Sequence, residues 1–219
     1  MSTDLNAGPD VGGRSRVIAM ALLTPVGLDG FPSATFWETT PPARFCCDWQ
    51  GRNQDAERQT EARLLWSREF LYVRFICRYR EIYVYPGGNS RRDQLWLRDV
   101  AEVFLQPATE NPRHYREFEI SPNGDWLDLN ISPGRTDPLH CDIKSRVSAD
   151  SQAHIWIAEM ALPMTCLTRD FDPVAHWRVN FFRVEGPEPN RFYSAWQPTH
   201  TAKPNFHVPD AFGELHFSS

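Results

Sequence analysis

The sequence predicts an all-β fold: a two-sheet, antiparallel β-sandwich of jelly-roll type with at most one or two short helices. Three observations predict it. Apolar residues recur mainly with a period of two, and helical periodicity is nearly absent. Gly, Pro and Asn punctuate the chain at short intervals, without any alternation of strand and helix patterns. Aromatic residues make up 13% of the chain, with 8 Trp, and large rings favour the pleated, half-buried surface of a strand.

The elements follow in order. Residues 1–16 are polar and read as a flexible leader, and residues 17–219 as one sandwich domain, a size such folds reach as a single unit. Leu71, Val73, Phe75 and Cys77 alternate with Tyr72, Arg74, Ile76 and Arg78, the mark of a strand with one buried face. Residues 100–105 form a second apolar run with one acid, Glu102, inside it. Residues 114–121 and 125–132 flank Pro122-Asn123-Gly124, where Gly can supply a positive φ, and read as a hairpin. In its first strand Phe118 and Ile120 share one face, and Tyr115, Glu117 and Glu119 the other. In its second strand Leu127, Leu129 and Ile131 oppose Trp126, Asp128 and Asn130. One side of the hairpin is expected to be core, and the other to carry acids, an amide and aromatics. Further strands are expected at 154–162, 177–184 and 214–217, with Pro163 ending the first of them. Residues 164–169 suit a short helix.

Composition excludes several classes. The net charge of −5 and the lack of a basic stripe argue against a nucleic-acid partner. No stretch approaches the roughly 18 apolar residues of a membrane span. The N-terminus lacks the charged start and apolar run of a signal peptide, which points to the cytoplasm unless the true start lies upstream. Cys46, Cys47, Cys77, Cys141 and Cys166 are odd in number, without CxxC spacing. They read as reduced, partly buried thiols rather than a zinc site or a disulfide framework. GxSxG, HExxH and Gly-rich phosphate loops are missing.

Six segments, in order, carry a resemblance: Trp66 with the run Phe70 to Phe75; Leu95 to Leu105; Tyr115 to Gly124; Trp156 to Pro163; Trp177 to Arg183; and a tail from Trp196 to Gly213 containing Phe206-His207-Val208-Pro209. Over residues 17–219 the chain resembles the family 9 carbohydrate-binding modules, relatives of the DOMON sandwich superfamily. The resemblance implies a β-sandwich that binds mono- or oligosaccharide without catalysis, in the service of polysaccharide catabolism. It implies no required cofactor, although structural calcium occurs in such domains; the acids at Asp170 and Asp172 are the only hint of it here.

A sugar presents apolar C–H faces and rings of hydroxyls, so a binder needs flat aromatic surfaces and rigidly held polar groups. In the resembled modules an aromatic and an acid at the spacing of Trp96 and Glu102 help form the site. Trp96 is therefore the candidate platform, Glu102 a hydroxyl acceptor and Trp196 the opposing ring. Glu117, Glu119, Asn180 and Arg183 are candidates for further hydrogen bonds, with Tyr115 on the same hairpin face and His207 at the edge of the site. Bland readings stand beside these. Trp96 fits ordinary sandwich packing, and Glu102 fits a structural pair with Arg183. Asn180 and Arg183, three residues apart, reach one site only if a bulge intervenes. Trp156 and Trp177 read as core.

Two other function classes remain. Glu117 and Glu119 share a strand face with Cβ atoms ~7 Å apart, near glycosidase separations, but neighbours on one strand approach a sugar from the same side. A sandwich that binds a protein or another small ligand is the second alternative. His200 with His207 is a weak metal pair, and haem between Met160 and His154 is disfavoured because both share one strand parity.

Overall fold

The computed structural model describes residues 14–24, 26–108 and 113–218. Most of the expected leader lies outside these residues, and the first strand already begins at Arg16. In chain order the strands are β1 (Arg16–Ala21), β2 (Ala43–Phe45), β3 (Thr60–Trp66), β4 (Phe70–Arg78), β5 (Val100–Gln106), β6 (Tyr115–Ile120), β7 (Trp126–Ser132), β8 (Arg135–Pro138), β9 (Lys144–Asp150), β10 (Ile155–Pro163), β11 (Trp177–Glu185), β12 (Phe192–Ala195) and β13 (Gly213–Phe217). Two short helices, α1 (Ala34–Thr39) and α2 (Met164–Leu167), accompany them.

The strands join in one hydrogen-bonded path, β8-β7-β6-β5-β11-β13-β1-β3-β4-β10-β9, with β12 on β11 and β2 on β3. The path curls into a sandwich, so that β5, β6 and β11 face β3, β4 and β10 across a shared core. Leu71, Val73, Phe75 and Cys77 fill one side of that core; Ala101, Val103, Phe118 and Phe181 fill the other. Trp156 and Trp177 are buried there too. One correction concerns strand direction. β1 pairs in parallel with both β13 and β3. Parallel neighbours need a long crossover, and the chain between β1 and β13 supplies it.

Each half of the sandwich also has a covered outer face. On β3, β4 and β10, Leu65, Tyr72 and Ala161 lie under Trp37 of α1 and Phe31. On β5, β6, β7 and β11, Val100, Phe104, Leu127 and Phe182 lie under Phe206 and Phe212 from the C-terminal tail.

The hairpin forms where expected, but its faces match differently. Gly124 has φ +86, and its N–H donates to Ser121 O, while Ser121 N–H donates to Asp125 O. This turn sets Glu117 opposite Leu129 and Glu119 opposite Leu127. The apolar set of β7 therefore shares a face with the acids of β6, not with Phe118 and Ile120. Alternation sorts the residues of each strand into two sets; the turn decides which sets face together, and a one-residue slip would exchange them.

Cys141 and Cys166 form a disulfide with Cα atoms 5.9 Å apart, which corrects the reduced-thiol reading for these two. Cys46, Cys47 and Cys77 are free. Their sequence spacing carries no signal for the bond, because the β9–β10 pairing brings the β8–β9 connection beside α2. Reducing the bond, or replacing both cysteines by serine, is expected to cost about 2–4 kcal/mol by releasing a closed loop in the unfolded chain. Urea unfolding of the oxidised and reduced protein measures this, and coincident midpoints would refute it. Met160 lies in the core while His154 is exposed, so they do not converge on a haem. Among the described residues no helix is long and apolar enough to cross a membrane.

Candidate functional site

The outer face of β5, β6, β7 and β11 opens into a cavity of about 470 Å³. Strand parity selects its floor. Glu102 and Phe104 point to it from β5, Glu117 from β6, Leu129 and Ile131 from β7, and Val184 from β11. Tyr193 of β12 and the segment Pro204 to His207 form further walls.

The rim is built by a single 3₁₀ turn, Leu95–Leu97, just before β5. Leu95 is fully buried and anchors the turn, leaving Trp96 at the cavity mouth with 42% of its surface exposed. Arg191 ties this rim to β11, its guanidinium donating to Gly186 O and Leu97 O. The tail is fixed by stacking: the Phe206 ring lies 4.2 Å from the Phe182 ring at 13°. His207 and the Tyr115 hydroxyl share a hydrogen bond of 2.8 Å through Nδ1. Burial lowers the His207 pKa and keeps its ring neutral near pH 7. Tyr115 is itself buried, stacked on Phe104 at 5.5 Å.

Two acids line the floor, and a third lies buried beside them. Glu102 stands directly opposite Glu119 across the β5–β6 ladder, and Glu117 follows at two residues on the same face. Glu102 and Glu117 are 2% and 3% exposed and line the cavity; Glu119 is fully buried beside them. Among the described residues, no Lys or Arg reaches ion-pair distance of any of the three. Their one charged-type contact is His207 Nδ1, 3.9 Å from Glu117 Oε2. Glu102 Oε1, Glu117 Oε2 and both Glu119 oxygens lack a hydrogen-bond partner. Burial pushes the Glu117 pKa up to about 7. It raises Glu102 and Glu119 well above the ordinary range as well, helped by the neighbouring carboxylates.

The structure thus gathers Trp96, Glu102, Glu117 and His207 around one cavity, with Tyr115 and Glu119 behind its wall. Three expected residues go elsewhere. Trp196 packs on Phe181 at 5.6 Å, at the edge of the inter-sheet core. Its ring fills the space over Gly213, where any Cβ would lie 2.6 Å from it. Asn180 has the parity of the cavity face but spends its amide on the chain: Nδ2 donates to Gln197 O, and Oδ1 accepts from Phe181 N and Gln197 N. Arg183 points to the opposite face, because β11 pairs with β5 without a bulge and sets Arg183 beside Ala101 and Phe182 beside Glu102. The suggested Glu102–Arg183 pair is therefore not formed.

Sequence reasoning missed Tyr193, Phe206 and Arg191. Phe206 belongs to the Phe206-His207-Val208-Pro209 segment, but nothing local in the sequence says that it folds back over β11. Tyr193 sits in the short aromatic run Phe192-Tyr193 after the Pro-rich segment 187–189, a pattern that signals a strand. Among the described residues, no group of three or more His, Cys, Asp or Glu is arranged to hold a metal. Asp172 instead caps its own turn, accepting from Val174 N.

No family model matches the chain. A structure of a candidate carbohydrate-binding protein from Bacteroides uniformis superposes with a TM-score of 0.74, covering 94% of this chain and 100% of that one at 14% identity. A family 9 carbohydrate-binding module from Caldicellulosiruptor kristjanssonii in complex with cellotriose gives 0.65, with 93% of both chains covered at 13% identity. The glucose complex gives 0.63, with 93% and 96% covered at 14% identity. The chain has the family 9 module fold. At these identities the likeness establishes that fold alone. A curated relative from Arthroderma benhamiae, named as an extracellular protein, is 27% identical over 176 residues, spanning 73% of this chain and 78% of that protein. That relative and the disulfide give no support to the cytoplasmic expectation.

Proposed function

We propose that this chain is a non-catalytic carbohydrate-binding domain that takes a mono- or oligosaccharide into the cavity beside Trp96. The observation that carries the reading is an exposed Trp ring at the mouth of a pocket whose floor holds unpartnered acids, on the family 9 fold. The Trp96 and Tyr193 rings offer flat apolar surface, while Glu102, Glu117, Asn205 and His207 offer hydrogen-bonding groups. The three acids all rise from one wall. A glycosidase pair must flank the scissile bond, and that requirement supports binding over hydrolysis. The disulfide and the extracellular relative support a place outside the cytoplasm, where polysaccharide breakdown would employ such a domain.

Calorimetry with glucose, cellotriose and a wider glycan panel tests the reading. Binding with a change in Trp fluorescence is expected. Trp96→Ala is expected to weaken it by about tenfold or more without unfolding the protein, since much of the ring is already in solvent. Failure to bind any glycan of a broad panel would sink the reading.

A further inference from the structure

Resting on that sugar-binding reading, we propose that the sugar unit held in the cavity carries a free amine: a 2-amino-2-deoxyhexose whose ammonium group sits between Glu102 and Glu117. Elsewhere in the chain, several buried acids have a cation beside them. Asp125 has Arg92 at 2.8 Å, Asp128 has Arg91 at 2.8 Å, Glu185 has Arg58 at 3.0 Å and Glu159 has Arg146 at 2.6 Å. Glu102, Glu117 and Glu119 have none among the described residues, yet they are buried to a similar degree. Glu102 Oε1 and Glu117 Oε2 are buried without a hydrogen-bond partner, and both side chains line the cavity, whose walls are mostly apolar.

Candidates within the protein do not fill this role. Arg191, the one cation among the described residues that lines the cavity, is turned onto backbone carbonyls. His207 is held neutral by burial, and Tyr115 keeps its proton because burial and the Glu117 charge raise its pKa. From β11 the cavity receives Val184, and from β7 Leu129 and Ile131, none of which titrates. A sugar hydroxyl brings one donor and no charge. An ammonium brings three donors and a positive charge, at charge-assisted strength, and lets Glu102 and Glu117 give up the protons that burial holds on them. It would also offset the cost of keeping carboxylates away from water. The aromatic walls would still receive the C–H face of the same ring.

The test is calorimetry at pH 7 with three β-1,4-linked trisaccharides: cellotriose, its 2-amino counterpart (glucosamine units), and the N-acetylated form of that counterpart. The amine is expected to bind about tenfold or more tighter than either neutral ligand, the size of one charge-assisted contact. In Glu102→Gln and Glu117→Gln, neutral substitutions of nearly the same shape, the ratio of amine to neutral affinity is expected to collapse toward one. Circular dichroism checks that both variants fold, and the wild-type ranking stands without them. Cellotriose binding equal to or tighter than the amine would overturn the proposal while leaving sugar binding intact. A preference that persists in both variants would overturn it too, by placing the amine elsewhere. If none of the three ligands binds, nor any of a broad panel, both readings fall together.

Discussion

Arg183→Met is expected to destabilise the protein by about 3–5 kcal/mol, the usual cost of removing one partner of a buried charge pair. Arg183 is fully buried. Its guanidinium donates to Val100 O and Val184 O, meets Glu185 Oε2 at 3.3 Å and lies over the Trp156 ring at 5.0 Å. Its charge also opposes the burial that raises the Asp99 pKa. Without it, among the described residues Glu185 keeps Arg58 as its ion-pair partner, and Asp99 retains its backbone donors, Tyr83 N and Gly186 N. In a domain of this size the melting temperature should fall by about 10 °C. Glycan affinity of the folded variant should be unchanged, because the side chain faces away from the cavity. A variant that keeps its stability but loses binding would return Arg183 to the site.

Between about pH 5 and 8, stability is expected to fall as pH rises, the opposite of what salt-bridged carboxylates produce. The sign follows from the acids of the cavity floor. Their folded pKa values lie above the unfolded ones, so over this range the folded chain holds protons that the unfolded chain has lost. Glu117 alone, raised to about 7 from an ordinary value near 4.5, corresponds to about 3 kcal/mol lost between about pH 4.5 and 7. Glu102 and Glu119 add to this in the same direction. His207, its pKa lowered by burial, pulls the other way below its unfolded value of about 6.5, one group against three, and Asp125 and Glu61, held low by Arg92 and by Arg44 and Arg63, act at more acid pH still. Glu119→Gln, which mimics the protonated acid, should raise the melting temperature at pH 8 by several degrees and leave it nearly unchanged at pH 5. Thermal melts across this range measure both effects. Stability that climbs from pH 5 to pH 8 would refute the assignment.

The same acids show how far the sequence reached. Period-two alternation was enough to place Glu102, Glu117 and Glu119 on strands and to pick out Leu71, Val73, Phe75 and Cys77 as a buried face. It could not say that the apolar set of β7 joins the acids, because the Pro122–Gly124 turn, not the alternation, sets that register. It separated Asn180 from Arg183 by parity, but gave no sign that Asn180 would be used up in holding Gln197.

By itself, then, the sequence determined the all-β class, most of the inner strands, the hairpin and the place of Trp96 just ahead of β5, since each depends on neighbours within a few residues. Tertiary structure decided the rest: the parallel pairing of β1, the Cys141–Cys166 bond, the seat of Trp196 against Gly213, and the folding of Phe206 and His207 over the acids. These contacts join residues far apart in the chain. Local periodicity fixes which way a side chain points from its own strand, but not which distant segment comes to cover it.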